Sequence, residues 1–150
     1  KNLCVSQNAD VMFVDSDVIL PKDAYKKLVE SDKHIIGGMV KHPNEYNVYK
    51  RGFGAAPTSL PLERQPITPN TGIHECEAIG FGCILIQNDI LRNIEFTNEY
   101  HGISYSKGFD LVTCLHLKDA GYNIYAHSDV CPKHYRKVCG VWIDEPPKNA

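Results

Sequence analysis

The stretch VMFVDSDV, residues 11–18, decides how the rest of the chain is interpreted. Four apolar residues run directly into Asp15 and Asp17, which are separated only by Ser16. A continuous apolar run of this length is typical of a strand that is covered on both faces, as in a parallel sheet. The two carboxylates then lie at the carboxyl end of that strand, which is the edge where ligands bind in open α/β sheets.

The two carboxylates are a candidate metal site. Charges one residue apart repel each other unless a cation lies between them. Mg²⁺ and Mn²⁺ prefer carboxylate oxygen, so Asp15 and Asp17 suit either ion. Asp-Ser-Asp after a strand also favours a simple turn, because these residues readily bend and cap the backbone. On the tripeptide alone, both interpretations stay open.

Length and charge limit the class of protein. At 150 residues the chain fits one domain with a sizeable core, and we interpret residues 1–150 as a single domain. The net charge of -2 provides no general attraction for nucleic acid or membrane. The longest apolar run, residues 79–86, is too short to span a bilayer. We expect a cytoplasmic protein; its attachment to the membrane face through a further segment stays open.

The six cysteines are too sparse for a disulfide scaffold. Several lie within apolar runs, where cysteine behaves as a small hydrophobic side chain, so we expect reduced thiols. An alternative is a zinc site formed by two histidines and two cysteines near the carboxyl terminus: His127, Cys131, His134 and Cys139. The spacings between these residues do not match the usual short Cys-x-x-Cys pairs.

Apolar periodicity and capping residues predict the remaining elements. In chain order they are a helix over 21–32, strands over 34–40 and 83–86, a short helix with Asn88 as N-cap, a helix from Asp110 to Gly121, and a strand over 122–126. Residues 41–73 contain five prolines and are predicted to form a long flap or insertion, within which residues 47–50 are a candidate for a short hairpin strand.

The order of these features resembles the GT-A glycosyltransferases, in particular the family-2-like group that uses nucleotide sugars. The order is strand, Asp-x-Asp and Pro-led helix, then Glu-x-x-Gly-x-Gly and strand, then Asp-capped helix, strand and late histidine. The segments that carry it are 9–28, 77–91, 108–126 and 129–134. The resemblance implies an α/β fold with a mixed sheet flanked by helices. It also implies metal-dependent transfer of a sugar from a nucleotide-diphosphate donor to an acceptor hydroxyl.

The resemblance implies a role for each matching residue. Asp15 and Asp17 correspond to the Asp-x-Asp motif that holds Mn²⁺ or Mg²⁺ on the donor diphosphate. His134 corresponds to a late histidine that completes the metal shell. Asp110 corresponds to the catalytic base of inverting members. The residues implied in donor or acceptor binding are Ser16, Glu77, Gly80, Phe81 and Gly82.

Each of these roles has a chemical reason. A divalent cation neutralises the charge that grows on the diphosphate as it leaves. The acceptor hydroxyl must lose its proton as it attacks, so a carboxylate within hydrogen-bond reach is required. A glycine turn allows backbone N–H groups to come close to a sugar. The expected partners are a nucleotide-sugar donor and a carbohydrate, lipid-linked or protein acceptor, with no nucleic acid.

The chain departs from the family pattern in two respects. Phe109 stands where the family has the glutamate of a Glu-Asp pair, and His116 occupies a commonly basic position. Only about ten residues precede the Asp-x-Asp strand, so the units that bind the nucleotide base have no counterpart. We therefore expect the carboxyl-terminal portion of a GT-A domain, which by itself binds nucleotide sugar weakly or not at all and self-associates through an exposed sheet edge.

Two other functions stay open. A nucleotidyltransferase would share the α/β sheet and the carboxylate-bound metal, although it normally carries a glycine-rich phosphate loop. A noncatalytic carbohydrate- or protein-binding remnant would fit the missing nucleotide half and Phe109. Asp110 is also among the preferred helix N-caps, and capping alone would explain it.

Overall fold

The computed structural model describes residues 6–42, 45–52, 59–105, 108–134, 137–138 and 141–142, and within them the fold is mixed α/β. The strands are β1 (Val11–Val14), β2 (Val18–Ile19), β3 (Ile35–Gly38), β4 (Val48–Arg51), β5 (Leu62–Arg64), β6 (Ile73–Cys76), β7 (Ala78–Ile79), β8 (Cys83–Ile86), β9 (Glu99–Tyr100), β10 (Ile103–Ser104), β11 (Ile124–His127), β12 (Lys133–His134), β13 (Lys137–Val138) and β14 (Val141–Trp142). The helices are α1 (Ala24–Glu30), α2 (Asn88–Asn93) and α3 (Phe109–Asp119). None of these helices is long and apolar enough to cross a membrane.

The main sheet has five strands in the order β1-β8-β3-β11-β6. Only the β3–β11 pair is parallel; β1–β8, β8–β3 and β11–β6 are antiparallel. The sheet is therefore mixed, as expected. The prediction that residues 11–14 form a buried strand of a parallel sheet is wrong. In the described part of the chain β1 lies at an edge, pairs with β8 alone and leaves Val14 43% exposed.

Helices cover both faces of this sheet. Ile84 and Ile86 belong to a core cluster that includes Cys114 of α3, whereas Leu85 belongs to a second cluster that includes Leu28 of α1. Alternate residues of β8 therefore face opposite cores, since successive side chains of a strand point to opposite faces. Each fully buried aliphatic side chain of this kind contributes roughly 1.5–3 kcal/mol.

Part of the predicted flap is a small sheet. β4 pairs antiparallel with β5 on one side and with β7 on the other. The segment 41–73 is therefore not one long loop, because β4 and β5 within it have backbone partners. The short strand predicted at residues 47–50 is observed one residue later as β4, whereas its pairing with β7 depends on residues beyond the segment.

Three helix boundaries differ from those predicted. α1 begins at Ala24 instead of at Pro21, and Gln87 instead of Asn88 precedes α2 as its N-cap. Gly108, at φ 87°, is the N-cap of α3, so the prediction that Asp110 caps this helix is wrong. The carboxyl-terminal end of α3 agrees with the prediction, because Gly121 adopts φ 89°.

Candidate active site

A cavity of about 540 Å³ brings together the predicted site residues from separate parts of the chain. Its lining consists of Asp15, Asp17, Val40, His42, Asn47, Tyr49, Gly80, Phe81, Gly82, Gly108, Asp110, Leu111 and His134. The Asp-x-Asp carboxylates, the glycine turn, the helix aspartate and the late histidine therefore share one concave surface.

Asp15 and Asp17 are positioned by a tight turn after β1. The Asp15 N–H donates to the Gly82 carbonyl at 3.2 Å, and the Val18 N–H donates back to the Asp15 carbonyl at 3.1 Å. The segment is therefore a turn, and the same turn places both carboxylates on the cavity. Ser16 is exposed and does not line the cavity.

The pairing of two short strands brings His134 to this turn. β2 follows the turn directly and pairs antiparallel with β12, which places Val18 opposite His134. His134 is buried, and its Nε2 lies 3.1 Å from Oδ2 of Asp17. This contact joins residues that are 117 positions apart in the chain.

The carboxylates in the cavity repel one another. Burial raises the pKa of the Asp15 carboxyl above its ordinary value of 3.8, and the negative charge of Asp17 raises it further. His134 lowers this pKa, whereas Asp110 raises it. A bound cation would relieve this repulsion, so the electrostatics of the cavity fit a divalent ion.

The donor atoms also fit such an ion, although they are not yet arranged around one. Two carboxylates and an imidazole are a donor set that suits Mn²⁺. Asp17 and His134 are in direct contact with each other. Among the described residues, no three His, Cys, Asp or Glu side chains are placed to hold one metal ion.

The glycine turn allows two carboxylates to approach the same backbone. A Cβ atom added at Gly82 would lie 3.1 Å from Oδ2 of Asp15. A Cβ atom added at Gly80 would lie 3.4 Å from Oδ2 of Asp110 and 3.0 Å from Nδ2 of Asn47. The 3.1 Å distance at Gly82 and the 3.0 Å distance at Gly80 are shorter than ordinary van der Waals contact, so a larger residue at either position would require a polar side chain of the site to shift.

Asn47 holds the glycine turn in place, a role that was not predicted from the sequence. Its Oδ1 accepts a hydrogen bond from the Val40 N–H at 2.8 Å, and its Nδ2 donates to the Gly80 carbonyl at 3.1 Å. Asn47 is buried. Since its side chain satisfies two buried backbone groups, its loss would leave both unpaired. No sequence pattern marks this role, because the partners lie in other elements.

Asp110 is the second residue of α3, and its carboxylate lines the cavity. Its Oδ1 accepts a hydrogen bond from the Leu111 N–H at 2.9 Å, and its Oδ2 accepts one from the Phe81 N–H at 3.4 Å. The second contact links the helix aspartate to the glycine turn. This contact orients the carboxylate, which a general base requires.

Two further lining residues come from the segment that was predicted to be a flap. The ring of His42 packs edge-on against that of His134, with centroids 5.5 Å apart. Tyr49 lies under the guanidinium of Arg64, 4.4 Å from its ring centroid, and burial raises the pKa of its hydroxyl. The prolines around them concealed the signal, since irregular segments carry no periodicity.

The remaining predicted residues lie elsewhere. Glu77 is outside the cavity and forms an ion pair with Arg51 at 3.2 Å. His127 belongs to the alternative zinc site, and its Nδ1 accepts a hydrogen bond from the backbone N–H of Asp129 at 3.4 Å. Cys139 of the alternative zinc site lies outside the described residues.

Comparison with known proteins shows a likeness of fold alone. No protein-family model matches the chain, and no curated protein matches it. A solved structure described as the crystal structure of A197 from STIV is similar, with a TM-score of 0.59 and 16% sequence identity. The match covers 90% of this chain and 63% of that one, so this chain spans less than two thirds of the length of its structural neighbour. At this identity the likeness supports a shared mixed α/β architecture and carries no function with it.

Proposed function

We propose that this chain is the catalytic portion of a metal-dependent glycosyltransferase of the GT-A type. It would transfer a sugar from a nucleotide-diphosphate donor to an acceptor hydroxyl. The observation that carries the proposal is the convergence of Asp15, Asp17, Asp110 and His134 on one cavity. The GT-A resemblance implies two roles for these residues, metal binding and proton removal, and such a reaction needs both within one site.

The donor side of the site consists of Asp15, Asp17 and His134. When bound, Mn²⁺ or Mg²⁺ supplies Lewis-acid stabilisation of the leaving diphosphate. Nε2 of His134 and Oδ2 of Asp17 form a hydrogen bond with each other, at 3.1 Å. Binding an ion would replace this hydrogen bond by two metal contacts and would require His134 to bind as the neutral imidazole.

The acceptor side of the site consists of Asp110 and the glycine turn. Asp110 would accept the proton of the acceptor hydroxyl as that oxygen attacks the sugar. The Phe81 N–H holds one carboxylate oxygen of Asp110 at 3.4 Å, and the other accepts from the Leu111 N–H. These two contacts restrict rotation of the carboxylate. Gly80 and Gly82 leave room for the carboxylates of Asp110 and Asp15 to lie close to the backbone of the glycine turn.

The first experiment measures cation binding and turnover together. The protein is titrated with Mn²⁺ by calorimetry and is then incubated with Mn²⁺ and a panel of nucleotide sugars, with nucleoside diphosphate release as the readout. We expect Asp17→Asn to weaken Mn²⁺ binding by at least about tenfold and to abolish release. Asp23→Asn is the matched control, since Asp23 is outside the cavity and pairs with Lys27.

Asp110→Asn separates the two sides of the site. It should weaken Mn²⁺ binding much less than Asp17→Asn does and should reduce release by about 10²–10⁴-fold, the usual contribution of a general base. Turnover that is indifferent to Asp17→Asn would contradict the metal assignment. Equal Mn²⁺ binding by the protein and by Asp17→Asn would contradict it independently of turnover.

A further inference from the structure

Four of the five phenylalanines of the chain form one aromatic cluster beside the cavity. Phe81 lies at its centre. The Phe81 ring centroid is 5.4 Å from that of Phe13, 6.4 Å from that of Phe96 and 6.0 Å from that of Phe109. The Phe96 and Phe109 rings meet Phe81 edge-on, at 89° and 77°. Such edge-to-face contacts hold the rings in defined orientations.

The cluster runs from the core to the surface. Phe81 is 5% exposed, Phe96 is 37% exposed and Phe109 is 54% exposed. Single exposed apolar side chains are normal on a protein surface and need no explanation. Here two of them are anchored on the same buried ring, Phe81, which itself lines the cavity, and exposed apolar surface beside a cavity is a common feature of binding grooves.

Phe109 lies next to the candidate active site, although it is not one of the residues that line the cavity. Its neighbours in the chain, Gly108 and Asp110, both line the cavity, and so does Phe81, against which its ring packs. An exposed aromatic ring therefore stands one residue from the proposed base. A ligand whose hydroxyl reached Asp110 would extend its body over this ring.

We propose that Phe109 and Phe96 form the platform on which a saccharide acceptor binds. This inference rests on the proposed function, because it assigns the acceptor of the same reaction. A pyranose ring carries an apolar C–H face and hydroxyl groups around its edge. The C–H face packs against the electron-rich face of an aromatic ring. The hydroxyl groups find polar partners in the cavity, namely Asp110, His42 and Tyr49.

The composition of the site favours a saccharide over an alkyl chain. A lipid chain would need a continuous apolar groove, whereas both rings pack on Phe81, which lines a cavity that also contains carboxylates, imidazoles and an amide. Aromatic walls with a few convergent polar groups are typical of sites for small polar ligands. The GT-A resemblance implies a glutamate at position 109. Phenylalanine at this position replaces a charged group by an aromatic ring, on which a sugar ring stacks.

The test uses fluorine NMR of the whole chain labelled with 4-fluorophenylalanine. Phe96 and Phe109 are assigned by substitution, and the protein is titrated with the methyl pyranosides of glucose, galactose, mannose and N-acetylglucosamine. At least one pyranoside should shift the Phe96 and Phe109 resonances. Phe109→Ala, followed at Phe96, should raise the apparent dissociation constant about tenfold. Phe109→Trp should restore binding, and Tyr25→Ala, at an exposed aromatic of α1, should change nothing.

Three results would overturn the inference. One is the absence of any shift with all four pyranosides. Another is a shift with octanol and none with pyranosides, which would indicate an apolar ligand. The third is a shift that depends on protein concentration alone, which would indicate a second copy. The titration needs neither cation nor donor, so a negative result beside Mn²⁺-dependent turnover would reject only the acceptor assignment. Pyranoside binding without Mn²⁺ binding would instead reject the transferase and favour a carbohydrate-binding module.

Discussion

The neighbouring strands β1 and β8 look alike in the sequence and have opposite roles in the structure. Each is an uninterrupted run of four apolar residues, and they pair along their whole length, Val11 with Ile86 through Val14 with Cys83. All four residues of β8 are buried, whereas β1 is half-buried and ends on an exposed valine. β8 lies inside the sheet and carries the core, and β1 lies at an edge and carries the carboxylates.

The contrast shows that hydrophobicity marks a strand and does not give its position in the sheet. A residue is buried by neighbours on both sides and by helices above and below, and all of these come from other parts of the chain. β8 has strands on both sides, while β1 has one among the described residues. The reactive groups of the site are therefore attached to a less buried strand than the sequence predicted.

The most direct test of this difference between β1 and β8 is a matched pair of side-chain truncations, one in each strand. Met12 and Leu85 lie directly opposite each other and contribute to the same core cluster. Leu85 is 4% exposed, so Leu85→Ala should lower the free energy of unfolding by about 2–5 kcal/mol. Met12→Ala should cost about half as much, because part of the side chain already contacts water. Urea unfolding of both variants provides the measurement, and equal losses would show that β1 is as buried as β8.

A second prediction concerns the charge of Asp15, which directly follows β1 and lines the cavity. Burial and Asp17 raise the pKa of Asp15 in the folded chain. The folded state therefore binds the proton more tightly than the unfolded state, and stability declines as the pH rises through the raised pKa. Without metal, Asp15→Asn should raise the melting temperature at pH 7 and leave it unchanged below pH 3.8, where both states are protonated.

Asp23 is a control of opposite sign for this experiment. Its hydrogen bond with Lys27 lowers the pKa of its carboxyl, so its charge stabilises the fold above the ordinary value of 3.8. Asp23→Asn should lower the melting temperature slightly at pH 7. Thermal scans between pH 3 and pH 7 compare both variants with the unsubstituted protein. A lower melting temperature for Asp15→Asn at pH 7 would contradict the repulsion that we describe.

The smallest expected effect is on association through the side of β1 that has no strand partner among the described residues. An edge strand presents unpaired backbone groups that pair readily with another chain, and a lysine at the edge opposes this. We expect the protein to self-associate with rising concentration in sedimentation velocity and Val14→Lys to reduce it. The free energy of unfolding should change by no more than about 0.5 kcal/mol. Val29→Lys, at an exposed valine of α1, is the control, and a protein that stays monomeric throughout would contradict the prediction.

Residues of the candidate site could be predicted from the sequence where a short motif of neighbouring residues indicates their role. Two carboxylates after a strand, a Gly-x-Gly turn and an aspartate at a helix start are each visible in a short window, and all of them line the cavity. His42, Asn47 and Tyr49 were missed because each lies in a segment rich in proline. Glu77 was assigned to substrate binding from its place in the motif, yet it pairs with Arg51 outside the cavity.

The sequence alone determined which chemical groups the site contains and which strands and helices carry them. β8 was predicted with its observed limits, and α3 with its glycine end, because apolar runs, helical spacing and glycine act over a few residues. The tertiary structure alone decided that β1 is an edge strand among the described residues, that the pairing of β2 with β12 brings His134 to Asp17, and that Phe109 packs on Phe81, a residue of the cavity lining. These contacts join distant segments, and the burial and charge that they create depend on which surfaces meet when the chain packs.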